Sequence, residues 1–274
     1  MLCEPRHTAP MGRRRLDTLL ADRGLFESRS RAAAAVLAGE VRLGAGGARA
    51  AKPGQMVGDD ELVEVDERPA HVSRGGIKLA NALDAFGLDP AGRQALDVGA
   101  STGGFTDCLL QRGAEAVIAV DVAYGELNWK LRQDPRVTVV ERTNARELDG
   151  AALPFAPDLV VADVSFISLT KVLGPVLRTA APRFDCLALV KPQFEVGKGR
   201  VGKGGVVRDA ALRRAALLAV GGFARDELGV SVLGYASSSL PGPAGNEESF
   251  VWLAEPGRDG AVEDLEQAAR RAEP

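Results

Sequence analysis

The sequence predicts an α/β protein with a doubly wound, mostly parallel sheet, preceded by a small α+β unit. Two observations carry this prediction: apolar runs alternate with helical stretches from residue 94 onwards, and a glycine turn at 99–104 follows the first run. No apolar run approaches the roughly 20 residues of a membrane helix, and the three cysteines are too widely spaced for a C-x-x-C metal cluster. We therefore expect a cytoplasmic protein with no metal and no membrane association.

Short helix, turn and strand signals indicate the small N-terminal unit. One helix is predicted around residues 16–20, and a second, capped by a serine and ended by a glycine, over 31–38. Alternating strands are predicted at 40–43 and 61–65. Residues 13–55 hold nine basic and four acidic side chains, so the unit can face phosphate. A solvated surface with patchy charge is an equally good interpretation.

The larger unit is predicted to alternate strands with helices. The predicted strands are 94–99, 116–121, 137–142, 158–163, 185–191, 231–236 and 249–254, and the helices are 126–133, 169–180, 209–227 and one from residue 103. Helices between strands imply parallel pairing, whereas the last two strands are expected to form an antiparallel edge hairpin. Ligands bind at the carboxyl ends of the strands in such a sheet, so the functional residues are expected there.

The glycine turn predicts a nucleotide-like cofactor. Its glycines do not form G-x-G-x-x-G, and the pattern fits S-adenosylmethionine better than a dinucleotide. The candidate cofactor-binding residues are Asp97, Gly99, Ser101, Thr102, Gly103, Gly104, Phe105, Asp121 and Asn144. Asp121, which closes the second strand, is expected to hold the ribose hydroxyls. Asp97 has an alternative role as a helix cap, and Asn144 as a turn residue.

Charged residues close two later apolar strands. Asp163 follows one and Lys191 the other, which predicts a functional pair at the mouth of the cleft; a structural salt bridge between them is the alternative. Lys78 and Glu248 are weaker signals by themselves. Glu247 has almost the same claim as Glu248.

A glycine-rich segment at 197–204 superficially fits the phosphate-binding pattern G-x-x-x-x-G-K. It lacks the following Ser or Thr that would bind magnesium, and no helix is predicted to begin directly after it. We therefore interpret it as a basic loop able to reach RNA phosphates, with a plain solvated loop as the alternative.

Together these motifs resemble known families. Lys78, Asp163, Lys191 and Glu248 match the Lys-Asp-Lys-Glu tetrad of RrmJ/FtsJ-like ribose 2′-O-methyltransferases. The N-terminal unit is similar to an S4 RNA-binding domain at residues 15–17, 23–25, 28–29, 38–41 and 52–54. The chain from 13 to about 253 resembles the TlyA (haemolysin A) family, most specifically at 73–79, 97–107, 163–169, 190–195 and 204–209.

This resemblance implies a domain organisation. An S4-like RNA-binding domain is expected at 13–67, a linker at 68–73, a Rossmann-like class I S-adenosylmethionine-dependent methyltransferase domain at 74–256, and a C-terminal tail at 257–274. RNA contacts are expected from Arg13, Arg14, Arg15, Arg23, Arg29 and Arg31.

The same resemblance implies 2′-O-methylation of a ribose, expected to be a cytidine, in 16S or 23S ribosomal RNA or in both. The partner is then ribosomal RNA or a ribosomal subunit. Lys191 would act on the ribose hydroxyl, either as a neutral base or as a cation that stabilises the developing alkoxide. Asp163 would orient it, and Lys78 and Glu248 would hold the hydroxyl. The alternatives are a membrane-lytic haemolysin and a non-catalytic RNA-binding assembly factor.

Overall fold

The computed structural model describes residues 12–65 and 70–273, apart from the side chain of Lys198. The chain divides between Ala70 and His71 into two compact units. Residues 66–67, at the end of the predicted S4-like domain, and residues 68–69 of the predicted linker lie outside the described residues.

The N-terminal unit combines two helices with short antiparallel strands. Its elements are β1 (Arg13–Arg15), α1 (Leu16–Asp22), α2 (Arg29–Leu37), β2 (Val41–Leu43), β3 (Ala48–Arg49), β4 (Met56–Gly58) and β5 (Val63–Val65). β1 pairs with β4, and a second small sheet has the order β3-β2-β5. The predicted serine cap is confirmed, since the Ser28 side chain accepts a hydrogen bond from Arg31 N. Strands β1, β3 and β4 are too short to give an alternating pattern, and the sequence did not predict them.

Apolar residues of both helices form the core of this unit. The helix spacing of α1 directs its leucines inward, where they meet the alanine face of α2. The buried residues are Leu16, Leu19, Leu20, Ala32, Ala35, Val36, Val41, Ala50 and Val57. This core explains why the two predicted helices form although each is short, because isolated helices of this length are marginal in water.

The second unit is a seven-stranded sheet with helices packed against it. Its helices are α3 (Arg74–Phe86), α4 (Gly104–Gln111), α5 (Trp129–Arg132), α6 (Leu173–Leu177), α7 (Pro192–Glu195), α8 (Ala210–Asp226) and α9 (Leu265–Ala272). Its strands are β6 (Gln94–Val98), β7 (Ala116–Val120), β8 (Val137–Val140), β9 (Leu159–Ala162), β10 (Asp185–Val190), β11 (Ser231–Ser237) and β12 (Ser249–Ala254).

The sheet has the strand order β11-β12-β10-β9-β6-β7-β8. Strands β6 to β10 pair in parallel, whereas β12 is antiparallel to both β10 and β11. The predicted parallel sheet and antiparallel hairpin are therefore confirmed. Two apolar clusters are packed around the sheet, so the strands of its centre are buried and mostly apolar, as expected for a parallel sheet covered by helices.

Besides the single-turn helix α7, which the sequence does not predict, four elements differ from the sequence prediction. Helix α3 was not predicted, because Gly75 and Gly76 in its first turn are poor helix formers. The helix predicted at 169–180 is a 3₁₀ turn followed by α6, since Pro175 fits only the first turn of a helix. The helix predicted at 126–133 is the single turn α5, which begins after the capping residue Asn128.

The fourth difference concerns the segment 257–274, which was expected to be a tail. It contains α9, whose residues Leu265 and Ala269 are buried in the larger apolar cluster. The Arg213 guanidinium of α8 lies 2.5 Å from the Glu273 carboxylate and holds the end of this segment. The segment is therefore part of the packed unit. Within the described ranges, no helix combines the length and the apolar character needed to cross a membrane.

Candidate active site

The turn between β6 and α4 requires glycine at two positions. Gly99 has φ +85°, and a Cβ there would lie 2.5 Å from the carbonyl oxygen of Asp163. Gly103 has φ +94°, and a Cβ there would lie 2.3 Å from Leu131 Cδ1. Both positions combine a left-handed backbone with a close neighbour, so any larger residue is strained. The turn thereby leaves an open space above the carboxyl end of β6.

Two of the predicted cofactor-binding residues, Asp121 and Asn144, line one side of this space. The Asp121 carboxylate accepts hydrogen bonds from the backbone N–H of Ser101 at 2.7 Å and of Ala123 at 2.8 Å. The Asn144 side chain accepts from Arg146 N at 3.1 Å, which is the turn role considered as its alternative. Both residues also line a cavity of about 450 Å³.

Asp97 is placed behind the turn and does not line either of the two cavities at this edge of the sheet. It is fully buried, and its Oδ2 accepts hydrogen bonds from the backbone N–H and the hydroxyl of Thr106. Its other oxygen, Oδ1, is buried without a hydrogen-bond partner. Burial raises the pKa of Asp97 to about 7 against the opposing effect of the Thr106 hydrogen bonds. The geometry is that of the helix-capping alternative.

Four charged residues from four distant parts of the sequence form two adjoining ion pairs. Lys78 of α3 pairs with Glu248, which directly precedes β12, and both side chains are buried. Lys191 Nζ, at the end of β10, lies 2.5 Å from Asp163 Oδ1, at the end of β9. Because the two strands are parallel neighbours, their carboxyl ends bring these residues together.

Both pairs open onto a cavity of about 380 Å³. Besides these four residues, its lining includes Gly99 and four further predicted cofactor-binding residues of the turn: Ser101, Thr102, Gly104 and Phe105. This cavity shares Gly99, Ser101 and Asp163 with the cavity that contains Asp121 and Asn144. The two spaces therefore adjoin along the glycine turn.

The structure distinguishes between the two neighbouring glutamates. Glu248 is 2 % exposed and bonded to Lys78, whereas the Glu247 side chain is 68 % exposed and lies 3.9 Å from Arg213. A Cβ at Gly242 would lie 2.4 Å from Glu248 Oε1, so a glycine there leaves room for the buried carboxylate. Glu248 is therefore the one that reaches the cavity.

One contact at this site was missed by the sequence reasoning. Lys191 Nζ donates a hydrogen bond to Ser165 Oγ at 2.8 Å, and Ser165 lines the larger cavity. Its position two residues after Asp163 was the available signal, but a serine in a loop has no distinctive pattern. Lys191 is thus oriented by a carboxylate and a hydroxyl from one loop.

The arginines predicted to contact RNA belong to the other compact unit. Several make contacts inside it: Arg14 pairs with Asp22 and Asp59, Arg15 and Arg29 pair with Asp17, and Arg13 and Arg23 donate to backbone carbonyls. The Arg15 and Arg29 guanidinium groups lower the pKa of buried Asp17 to about 2. Arg31 is exposed and has no ion pair with a described residue.

The segment 197–204 does not have the geometry of an NTPase phosphate loop. It forms two short 3₁₀ turns, Lys198–Arg200 and Lys203–Gly205, and the next helix begins only at Ala210. Within residues 12–65 and 70–273, no group of three or more His, Cys, Asp or Glu residues could hold a metal ion.

Comparison with known proteins decides the family. Residues 71–255 match the model of the FtsJ-like methyltransferases. The chain is also 51 % identical over 263 residues to a Mycobacterium tuberculosis protein named 16S/23S rRNA (cytidine-2′-O)-methyltransferase TlyA, covering 95 % of this chain and 97 % of that protein. The chain belongs to the TlyA family of FtsJ-like methyltransferases.

Other members of the TlyA family support this relationship. A Brachyspira hyodysenteriae protein named Hemolysin A is 40 % identical over 188 residues, covering 68 % of this chain and 78 % of that protein. A solved structure from Streptococcus thermophilus, described as a candidate hemolysin, superposes with a TM-score of 0.70 at 37 % identity and covers 96 % of both chains. The haemolysin name and the methyltransferase name are therefore both carried by relatives of this chain.

Proposed function

We propose that this chain transfers a methyl group from S-adenosylmethionine to the 2′-hydroxyl of a ribose in ribosomal RNA, as the name of the Mycobacterium tuberculosis relative describes. The observation that carries the proposal is the convergence of two lysine–carboxylate pairs on a cavity that adjoins the glycine turn. A ribose hydroxyl is a weak nucleophile, so positioning and help with one proton are what side chains can add.

The larger cavity fits the cofactor. The Asp121 carboxylate stands at its rim for the ribose hydroxyls, and Val122 and Ala145 offer apolar surface for a base. Gly99 keeps the space between β6 and the Asp163 loop clear of side chains. When bound, S-adenosylmethionine supplies an electrophilic methyl group on a positively charged sulfur.

In this proposal the smaller cavity receives the ribose. Lys191 faces the 2′-hydroxyl, while Asp163 and Ser165 fix the direction of its amino group. The Lys78–Glu248 pair lines the same cavity and holds the hydroxyl by hydrogen bonds. Lys191 either accepts the hydroxyl proton as an amine, or stabilises the charge on the ribose oxygen as an ammonium while the proton leaves to water.

The N-terminal unit is proposed to be the S4-like RNA-binding domain of residues 13–67, with the methyltransferase domain from residue 74. Its arginines would contact phosphates and the shape of folded RNA. Because five of the six candidate arginines already make internal contacts, we propose Arg31 as the one most available to RNA. A ribosomal RNA substrate places the reaction in the cytoplasm.

The experiment that tests this function is a map of ribose methylation on both ribosomal RNAs. Cells with and without this gene are compared, and a 2′-O-methylated cytidine present only with the gene supports the proposal. An identical methylation pattern in the two strains contradicts it.

A membrane-lytic activity, suggested by the hemolysin names of two relatives, is tested separately. Dye leakage from liposomes caused by the purified chain without cofactor would favour lysis. Binding of ribosomal RNA without methyl transfer would instead favour a non-catalytic assembly factor.

A further inference from the structure

The loop that follows β9 is held in an unfavourable conformation. Phe166 has φ +64°, in the left-handed region that a bulky residue rarely adopts, and its side chain is 91 % exposed. Burial of its own side chain therefore cannot hold this backbone. The same loop carries Asp163 and Ser165, the two groups that contact Lys191.

A carboxylate of helix α7 binds the far end of this loop. Glu195 Oε2 accepts a hydrogen bond from Ser168 Oγ at 2.6 Å, and Oε1 accepts from Leu169 N at 2.8 Å. Glu195 closes α7, the one-turn helix that begins directly after Lys191. The segments that follow β9 and β10 are thus joined twice. Asp163 contacts Lys191, and one helical turn further along the second segment Glu195 contacts Ser168 and Leu169.

A ring contact supports the same connection. The rings of Phe166 and Phe194 lie 5.3 Å apart between centroids, next to the Glu195 hydrogen bonds.

Glu195 has no ion pair among the residues that the structure describes, and burial raises its pKa although both hydrogen bonds oppose this. Keeping a half-buried carboxylate without a cation is costly. Its two hydrogen bonds offset that cost only while the loop has this conformation.

We propose that Glu195 is a positioning residue for methyl transfer, which fixes the 163–169 loop so that Asp163 and Ser165 hold Lys191 toward the substrate. This inference rests on the proposed function. Displacement of a catalytic group by about 1 Å can lower a rate by about a hundredfold, so loss of the connection should lower kcat by a larger factor than it weakens cofactor binding, because the same loop also lines the cofactor cavity.

The test compares Glu195→Ala with Glu195→Gln. Glutamine can accept from Leu169 N and donate to Ser168 Oγ, so Glu195→Gln should keep kcat within about twofold of the original chain. Glu195→Ala should lower kcat by about tenfold to a hundredfold, with a smaller factor of change in the Kd for S-adenosylmethionine, since Asp121 and the glycine turn line the cofactor cavity independently of this loop. Thr179→Ala is the matched control, because it also removes a buried side-chain hydrogen bond, to Val176 O, near the amino-terminal ends of β9 and β10.

Hydrogen exchange of residues 163–169 gives a readout that does not depend on activity. Faster exchange in Glu195→Ala, but not in Glu195→Gln or Thr179→Ala, supports the inference even if the RNA substrate is wrong. Unchanged exchange and kcat in Glu195→Ala would overturn it, as would an equal loss in the Ala and Gln variants. Absence of methyl transfer by the original chain would contradict the proposed function alone.

Discussion

Gly103 occupies a position where an added methyl group meets two leucines of the segment around α5. A Cβ there would lie 2.3 Å from Leu131 Cδ1 and 2.8 Å from Leu127 Cδ1. We expect Gly103→Ala to weaken S-adenosylmethionine binding at least tenfold, and to lower the free energy of unfolding by about 1–3 kcal/mol through backbone strain and overpacking. Calorimetric titration and chemical denaturation measure the two effects.

Gly125 provides the matched control for this prediction. It also has a positive φ, of +80°, but nothing lies within 4 Å of an added Cβ. Gly125→Ala should therefore cost only about 1 kcal/mol of backbone strain. Equal effects of the two substitutions would show that packing around the turn does not matter.

Asp97 should make stability depend on pH. Its pKa is raised to about 7 by burial, and the charges of Asp163 and Asp121 act in the same direction. An unfolded aspartate ionises near pH ~4, so between pH 4 and 7 the folded chain binds the additional proton. The free energy of unfolding contributed by this group therefore falls as pH rises through that window, by up to about 1.4 kcal/mol per pH unit.

Asp97→Asn removes this titration while its side-chain oxygen can still accept from Thr106. Urea denaturation at several pH values between 4 and 8 measures the difference in unfolding free energy between the two chains. We expect the difference to shift in favour of the variant as pH rises. A constant difference across the range would contradict the raised pKa.

Of the four residues of the proposed tetrad, the strand pattern by itself reveals only Asp163 and Lys191, whereas Lys78 and Glu248 are predicted through the family resemblance. Asp163 and Lys191 stand out because each closes a buried apolar strand, and their position at neighbouring strand ends follows from the parallel sheet. The roles of Ser165 and Glu195 depend on the conformation of the 163–169 loop, and a loop has no repeating apolar pattern from which its conformation could be predicted. The sequence offers Asp97 both as a cofactor ligand and as a helix cap, and its burial behind the turn, which favours the cap, is a property of the fold alone.

At the scale of elements, α9 shows that the C-terminal segment contributes to the core. Ala269 is fully buried against the larger apolar cluster. We expect Ala269→Glu to lower the free energy of unfolding by about 3 kcal/mol or more, because it buries an unpaired charge and overpacks the site. Thermal and urea unfolding measure this loss.

Gln267→Glu on the exposed face of the same helix is the control. Its side-chain oxygen would still accept from Arg271, as it does now at 3.0 Å, so stability should change by less than about 0.5 kcal/mol. A similar loss in both variants would mean that α9 responds to added charge and not to burial.

Helix α9 and helix α3 were both missing from the sequence prediction, for different reasons. The charged sequence of α9 leaves only a narrow apolar stripe, with Leu265 and Ala269 as its buried members. In α3, Gly75 and Gly76 lower the helix propensity of the first turn. Packing leaves no room for a side chain at Gly76, because a Cβ there would lie 2.4 Å from the His71 side chain. Both helices owe their formation to packing, which local patterns do not contain.

At the scale of the whole molecule, the proposal assigns RNA affinity to the N-terminal unit and the cofactor to the larger one. Charge reversal by Arg31→Glu should weaken ribosomal RNA binding and lower the slope of log affinity against log salt by about one. The Kd for S-adenosylmethionine should not change. Arg225→Glu, in an exposed ion pair with Asp226 on the larger unit, is the control; equal loss of RNA affinity in both would contradict the assignment.

The general architecture of the molecule was predictable, because alternation of strands and helices determines a parallel sheet and places its ligand edge. The internal ion pairs of the N-terminal arginines were not predictable. Asp17, Asp22 and Asp59 are separated in sequence from some of their partners, and only the fold brings them together.

The most direct test of the account is methyl transfer from labelled S-adenosylmethionine to ribosomal RNA by the Lys191→Ala chain, with cofactor affinity measured in parallel. We predict that transfer falls at least a hundredfold while the Kd for the cofactor changes less than about threefold. Near-normal transfer by Lys191→Ala, with the cofactor bound, would contradict the central claim that the Lys191–Asp163 pair acts on the ribose hydroxyl.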